Sequence, residues 1–178
     1  VLMDARQPEV LARACDLGIA MQLTNIARDV GEDARLGRVY LPLAWMREAG
    51  LDPEAWLARP VFSADLAAVI ARVLEAAERL YQRSSAGIAE LPASCRPGMH
   101  AARLLYAEIG REVQRRGLDA VSQRAVVPPA RKAALLPSVL MAATVTPAAS
   151  DHAAALEAAR FLVEAAARSP AGPAPSPG

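Results

Sequence analysis

Apolar residues recur at three- and four-residue spacing in long blocks that proline and glycine separate, the pattern of amphipathic helices that must pack on one another. The clearest block runs from Ala64 to Leu91, with Leu66, Val69, Ile70, Val73, Leu74, Ala77, Leu80 and Tyr81 on one face; Ser63 is placed to cap its start and Pro92 to stop it. An earlier block opens at Gln7-Pro8-Glu9, with proline in the first turn, and continues from Val10 to about Val30. Gly31 and Gly37 mark where that helix is expected to fray into a loop from Glu32 to Leu41. Short helices are expected over Pro42 to Ala49, closed by Gly50, and after Asp52-Pro53-Glu54. A helix from about Met99 to Arg116 should end at Gly117, and Val126-Val127-Pro128-Pro129 breaks the chain before a last core helix, Ala130 to Val145. Long helices joined by short loops predict an all-α bundle. Residues 1–146 read as its core. Residues 147–178 read as an appendage: Asp151 to Arg168 is alanine-rich and expected to be helical, while Ser169 to Gly178 is Pro/Gly/Ser and expected to be disordered.

Composition agrees with helices and removes other classes. The chain has 178 residues, long enough for one domain with a sizeable core, and its 53% hydrophobic content excludes disorder throughout. Aromatic residues make up only 4%, too few for a β-sandwich. Lys and Arg number 20 against 19 Asp and Glu, with no long block of one sign, so nucleic acid is not an expected partner. Cys15 and Cys95 lie far apart without Cys/His spacing, which suggests neither a disulfide framework nor a zinc site. The opening from Val1 has no signal-peptide pattern, and a cytoplasmic protein is expected. Ala133 to Ser150 carries no charge, but Pro137 and Pro147 break it, so it fits a core or a membrane surface rather than a membrane span.

Candidate chemistry lies on the first long helix. At about 100° per residue, Asn25 and Asp29 fall within about 60° of Gln22, and Asp33 joins them if the helix persists past Gly31. Gly18 and Cys15 continue the same face upstream as a small, apolar strip. Asp29, Glu32 and Asp33 crowd carboxylates near a helix C-terminus, where like charge costs roughly 0.2–0.5 kcal/mol per pair and the helix dipole about 0.3–1 kcal/mol per charge. A divalent cation would reverse both effects, since carboxylates and an amide oxygen are hard ligands of the kind Mg²⁺ takes alongside substrate phosphates. The plainer alternative is a solvated helix end neutralised by Arg28, Arg35 and Arg38.

The longer string GIAMQLTNIARDVGEDARLGRVYLP, Gly18 to Pro42, resembles the second aspartate-rich motif of the squalene/phytoene synthase family, in its bacterial phytoene synthase branch. AARLLYAEIGREV, Ala101 to Val113, and QRAVVPPARKAALL, Gln123 to Leu136, are similar to the same family in the same order. The resemblance implies an all-α isoprenoid-synthase fold, of which this chain would hold the C-terminal part. It implies Asn25, Asp29 and Asp33 as ligands of Mg²⁺ (Mn²⁺ in its place), with Gln22 on substrate. It sets Arg28 on diphosphate or in a structural ion pair, Arg38 and Tyr40 at the cavity mouth or as loop anchors, and Tyr106 facing the diphosphate region or packed in the core. Arg124 and Lys132 would approach diphosphate, with surface solvation the alternative for each. His100 and His152 match nothing and read as surface or packing residues.

The activity so implied is head-to-head condensation of two geranylgeranyl diphosphates to phytoene, through a cyclopropylcarbinyl diphosphate. Asp29, Asp33 and Tyr106 are the candidate catalytic residues. No G-x-G-x-x-G follows a strand, so no nicotinamide cofactor is expected. A sister synthase acting on farnesyl diphosphate is the alternative within the class; a non-catalytic assembly protein is the alternative outside it, which intact Asn25, Asp29 and Asp33 argue against. A greasy product and the apolar stretch from Ala133 suggest peripheral contact with the inner face of a membrane. No first aspartate-rich motif occurs between Asp4 and Asp151, so the isolated chain is expected to be inactive, with helix faces exposed that account for a mean hydropathy of +0.17.

Overall fold

A computed structural model describes residues 7–144 and 154–168. In chain order the helices are α1 (Pro8–Arg28), α2 (Val30–Arg35), α3 (Leu43–Glu48), α4 (Pro53–Ala58), α5 (Ala64–Ala89), α6 (Arg96–Arg115), α7 (Pro129–Ala134) and α8 (Leu136–Thr144); a 3-10 turn, Glu157–Ala159, leads into α9 (Arg160–Arg168). There is no strand among the described residues, as the all-α expectation requires. The expected disorder of Ser169 to Gly178 falls outside the described residues, as does His152.

The starts and stops follow local chemistry. Asp52 caps α4 by accepting from the Glu54 and Ala55 amides, and Ser63 caps α5 by accepting from the Leu66 amide. Gly50 and Gly117 adopt left-handed φ of 79° and 71° just past α3 and α6.

α1 lies along α5, and α6 packs on both. Their apolar stripes merge into two clusters. One gathers Ala27, Val30, Met46, Trp56, Leu66, Ile70, Val73 and Val113 beneath the junction of α1 and α2. The other places Leu17, Ala20, Ala77, Leu80, Tyr81 and Ala107 further up α1. Burying a side chain such as Leu66 or Ile70 contributes about 1.5–3 kcal/mol, so these contacts fix the register of α1 on α5. At Gly87 of α5 a Cβ would lie 2.3 Å from the Arg13 Cβ, which shows how closely the two helices approach.

Two polar networks tie the periphery to this core. Asp16, buried on α1, pairs with Arg13 at 3.0 Å and with Arg83 of α5 at 3.1 Å, and Arg83 also donates to the Ala154 carbonyl. On α6, buried Glu108 and Glu112 gather Arg111, Arg115 and Arg116, and Arg131 of α7 reaches Glu108 at 3.6 Å. Ala159 of the 3-10 turn and Val163 of α9 are buried and α9 packs on α1, so part of the expected appendage joins the bundle.

The structure departs from expectation in particular places. The chain does not fray at Gly31. The ladder bends at Asp29, φ −100° and ψ 13°, and resumes as α2, because the Gly31 amide bonds the Ala120 carbonyl at 2.9 Å instead of continuing along α1. The expected helix from Ala130 to Val145 is divided at Leu135 into α7 and α8, where Pro137 has no amide to give to the turn before it. His100, expected at the surface or in packing, is buried within α6 and so takes the packing role.

Candidate functional site

The C-terminal turn of α1, the bend at Asp29 and the start of α2 form one edge. Asn25, Asp29 and Asp33 all lie there half-buried, and Gln22 is exposed one turn upstream, continuing a face on which Gly18 meets nothing within 4 Å. α2 therefore supplies the continuation that Asp33 needed.

Asp29 is the most heavily engaged residue of this edge. Arg28 reaches back over it, donating from Nε to Oδ1 at 2.6 Å and from Nη2 to Oδ2 at 2.5 Å. Arg124 donates from Nε to the same Oδ1 at 2.8 Å and lies 3.2 Å from Glu32 Oε2. Burial alone would raise the Asp29 carboxyl, but the hydrogen bonds and charges of Arg28 and Arg124 outweigh it and hold the group below its ordinary value. Asp33 moves the other way. Burial first, then the carboxylates of Asp29 and Glu32, push it above the ordinary value, with Arg38 pulling in the opposite sense.

Arg124 reaches Asp29 because the segment before it lies against α2. A Cβ on Gly31 would sit 2.2 Å from the Val121 carbonyl oxygen, so only glycine admits that approach. The turn is further fixed by Asp119, which accepts from the Val121 and Ser122 amides, and by Leu118 at a left-handed φ of 65°. Arg38 and Tyr40, both exposed, share a shallow cleft with Asp33 over Trp56. That leaves Arg38 within the electrostatic reach of the acidic edge.

Two expected site residues stand apart. Tyr106 packs beside the upper cluster near Tyr81, and Lys132 is exposed on α7. Among the described residues neither bonds Asn25, Asp29 or Asp33. A cleft of about 400 Å³ between α5 and α6, floored by Thr24 and Tyr81, contains none of the expected site residues. Thr24 and Tyr81 hydrogen-bond each other there at 2.9 Å.

The oxygen donors present suit Mg²⁺. No three His, Cys, Asp or Glu side chains gather as a metal cluster among the described residues. Mg²⁺, however, is commonly held by one or two carboxylates together with substrate phosphates, and a cation would relieve the repulsion among the carboxylates of this edge. Sequence reasoning missed Glu32 as a partner of Arg124, and Gly31 as a packing glycine. A glycine inside a helical pattern weakens the helix and so reads as a fraying point, and nothing nearby in the sequence pointed to Val121. The buried carboxylates of Glu108 and Glu112 were also missed; their spacing on one face among arginines was the clue.

Residues 1–132 match the squalene/phytoene synthase family. The chain is 54% identical over 172 residues to a phytoene synthase of Cereibacter sphaeroides, covering 94% of this chain and 48% of that protein. To a phytoene synthase of Rhodobacter capsulatus it is 51% identical over 146 residues, covering 82% and 43%. A crystal structure of a dehydrosqualene synthase in complex with ligand superimposes with a TM-score of 0.63 at 32% identity, over 72% of this chain and 45% of that one. The chain thus spans about half the length of these curated relatives. Its helical fold is that of the isoprenoid synthases, and the chain belongs to the squalene/phytoene synthase family.

Proposed function

We propose that this chain forms the second aspartate-rich side of a phytoene synthase, which condenses two geranylgeranyl diphosphates head to head through a cyclopropylcarbinyl diphosphate. The observation that carries the reading is the edge that bears Asn25, Asp29 and Asp33, with Arg28 and Arg124 bonded to Asp29, in a chain 54% identical to a phytoene synthase.

On this reading Asn25, Asp29 and Asp33 hold Mg²⁺, or Mn²⁺ in its place, which when bound stabilises the charge that develops on a departing diphosphate. The remaining work belongs to side chains. Arg28, Arg38, Arg124 and Lys132 offer fixed donors and positive charge to diphosphate oxygens. Gln22 orients substrate from the exposed turn beside them. Tyr106 offers a phenolic hydrogen from an otherwise apolar wall, and Tyr40 closes the mouth. The small face of Gly18, where even an added Cβ would meet nothing within 4 Å, leaves room for a prenyl chain.

Incubating the full-length enzyme with geranylgeranyl or farnesyl diphosphate tests this reading. Phytoene from the longer substrate is expected, and dominant use of the shorter one would replace the reading with a farnesyl-using sister activity. Asp29→Ala is expected to abolish Mg²⁺-dependent turnover while the fold survives.

We also infer a cytoplasmic protein in peripheral contact with the inner face of a membrane. In support, Leu136, Leu140 and Met141 of α8 are 61%, 67% and 67% exposed, just beyond Arg131 and Lys132. No helix among the described residues is long and apolar enough to cross a bilayer. Flotation with anionic liposomes is the check; protein left wholly in the soluble fraction would refute the contact.

A further inference from the structure

Each oxygen of Asp29 is already committed to a guanidinium. Arg28 takes both, and Arg124 takes Oδ1 as well. The two arginines are not equivalent. Arg28 is the sequence neighbour, its side chain only 16% exposed, and it is held bidentate. Arg124 arrives from a loop, with its side chain 44% exposed, and makes one bond to Asp29. It also has a second acceptor within reach, Glu32, on the side of α2 facing the same loop. A dication brought to Asp29 must therefore contend with Arg124 for Oδ1 and with its charge at contact distance.

We propose that Arg124 is a resident counter-ion of Asp29 that a cation displaces, and that Glu32 retains the released guanidinium beside the site. The proposal rests on the metal reading given above. Its consequence is coupling. While Arg124 occupies Asp29, a cation alone binds weakly; an anionic diphosphate that draws the guanidinium away uncovers the carboxylate, so cation and anion each raise the other's affinity.

The test uses the full-length protein, Mn²⁺ as the cation and inorganic pyrophosphate as the anion, with free Mn²⁺ followed by its electron paramagnetic resonance signal. Without pyrophosphate, Arg124→Gln is expected to bind Mn²⁺ about three- to fivefold more tightly than the wild type, the range set by a partly exposed ion pair. The gain in Mn²⁺ affinity on adding pyrophosphate is expected to shrink in that variant. Arg124→Lys, which keeps the charge, should stay near the wild type, and Arg35→Gln, which removes an exposed charge from α2 elsewhere, should leave the affinity unchanged. Unchanged or weaker Mn²⁺ binding by Arg124→Gln overturns the counter-ion role, as does an equal gain from Arg35→Gln. Asp29→Asn separates the two levels. If it binds Mn²⁺ as the wild type does, the metal reading itself fails; if it loses Mn²⁺ while Arg124→Gln is unchanged, only the counter-ion role fails.

Discussion

Gly31 and Val121 touch backbone to backbone: the Gly31 amide bonds the neighbouring Ala120 carbonyl at 2.9 Å, and a Cβ at Gly31 would stand 2.2 Å from the Val121 carbonyl oxygen. The obstacle is main chain and cannot rotate aside. Gly31→Ala is expected to displace the 119–124 segment and cost about 1–3 kcal/mol, the usual range for overpacking. Chemical denaturation would measure the loss. Because the same segment carries Arg124, the variant should also disturb the electrostatics of Asp29, and a destabilised variant whose Asp29 titration is unchanged would separate the two effects.

Asp33 and Asp29 should respond to pH in opposite senses. A carboxyl raised by folding is favoured protonated in the folded state, so Asp33 contributes its cost above its folded pKa and stability falls as pH rises through it. Asp33→Asn is therefore expected to raise the Tm at neutral pH by about 1–2 °C. A Tm unchanged or lowered by this variant at pH 7 would contradict the cost that burial and the neighbouring carboxylates place on the Asp33 charge.

Asp29 is held low, so its contribution is complete above the ordinary carboxylate pKa of about 3.9 and is lost as pH falls through the lower folded value. The stability difference between wild type and Asp29→Asn should accordingly shrink with acidification below about pH 4. Thermal unfolding across the acid range is the measurement, and a difference independent of pH would contradict the ion pairs drawn to Asp29.

Asp16 is buried between Arg13 and Arg83. Asp16→Ala leaves buried positive charge behind and is expected to cost about 3–5 kcal/mol, which denaturant unfolding would show. Since Arg83 also donates to Ala154, faster amide exchange in α9 should accompany the loss.

Burial pushes Tyr81 up to about 12, with the Thr24 hydrogen bond acting in the opposite direction. Of the three tyrosines, this one should remain un-ionised until the alkaline limit of a spectrophotometric titration. Tyr81→Phe should remove that late step, and its persistence would reassign it.

The helical bundle was legible because apolar periodicity is a local property: Leu66 to Tyr81 repeat as one face in any window that contains them. The acidic edge was legible for the same reason, since Asn25, Asp29 and Asp33 are one turn apart. Gly31 was misread because the reason for a glycine there lies some ninety residues away, at Val121. Contacts that join distant segments leave no periodic trace, so Arg124 on Glu32, Arg131 on Glu108 and Arg83 on Asp16 needed coordinates. Arg28 sits beside Asp29 in sequence, yet it reaches its carboxylate because the ladder bends there, and the bend has the same distant cause.

The small contact between Thr24 and Tyr81 fixes where a hydrogen atom goes. Thr24 Oγ1 lies 3.0 Å from the Ala20 carbonyl, which can only accept, so the arrangement satisfying both hydroxyls has Thr24 donating to Ala20 and Tyr81 donating to Thr24. The phenolic hydrogen of Tyr81 is thereby consumed inside the joint between α1 and α5. Tyr81 thus serves as a hinge pin of the scaffold, its hydroxyl spent on holding α1 against α5.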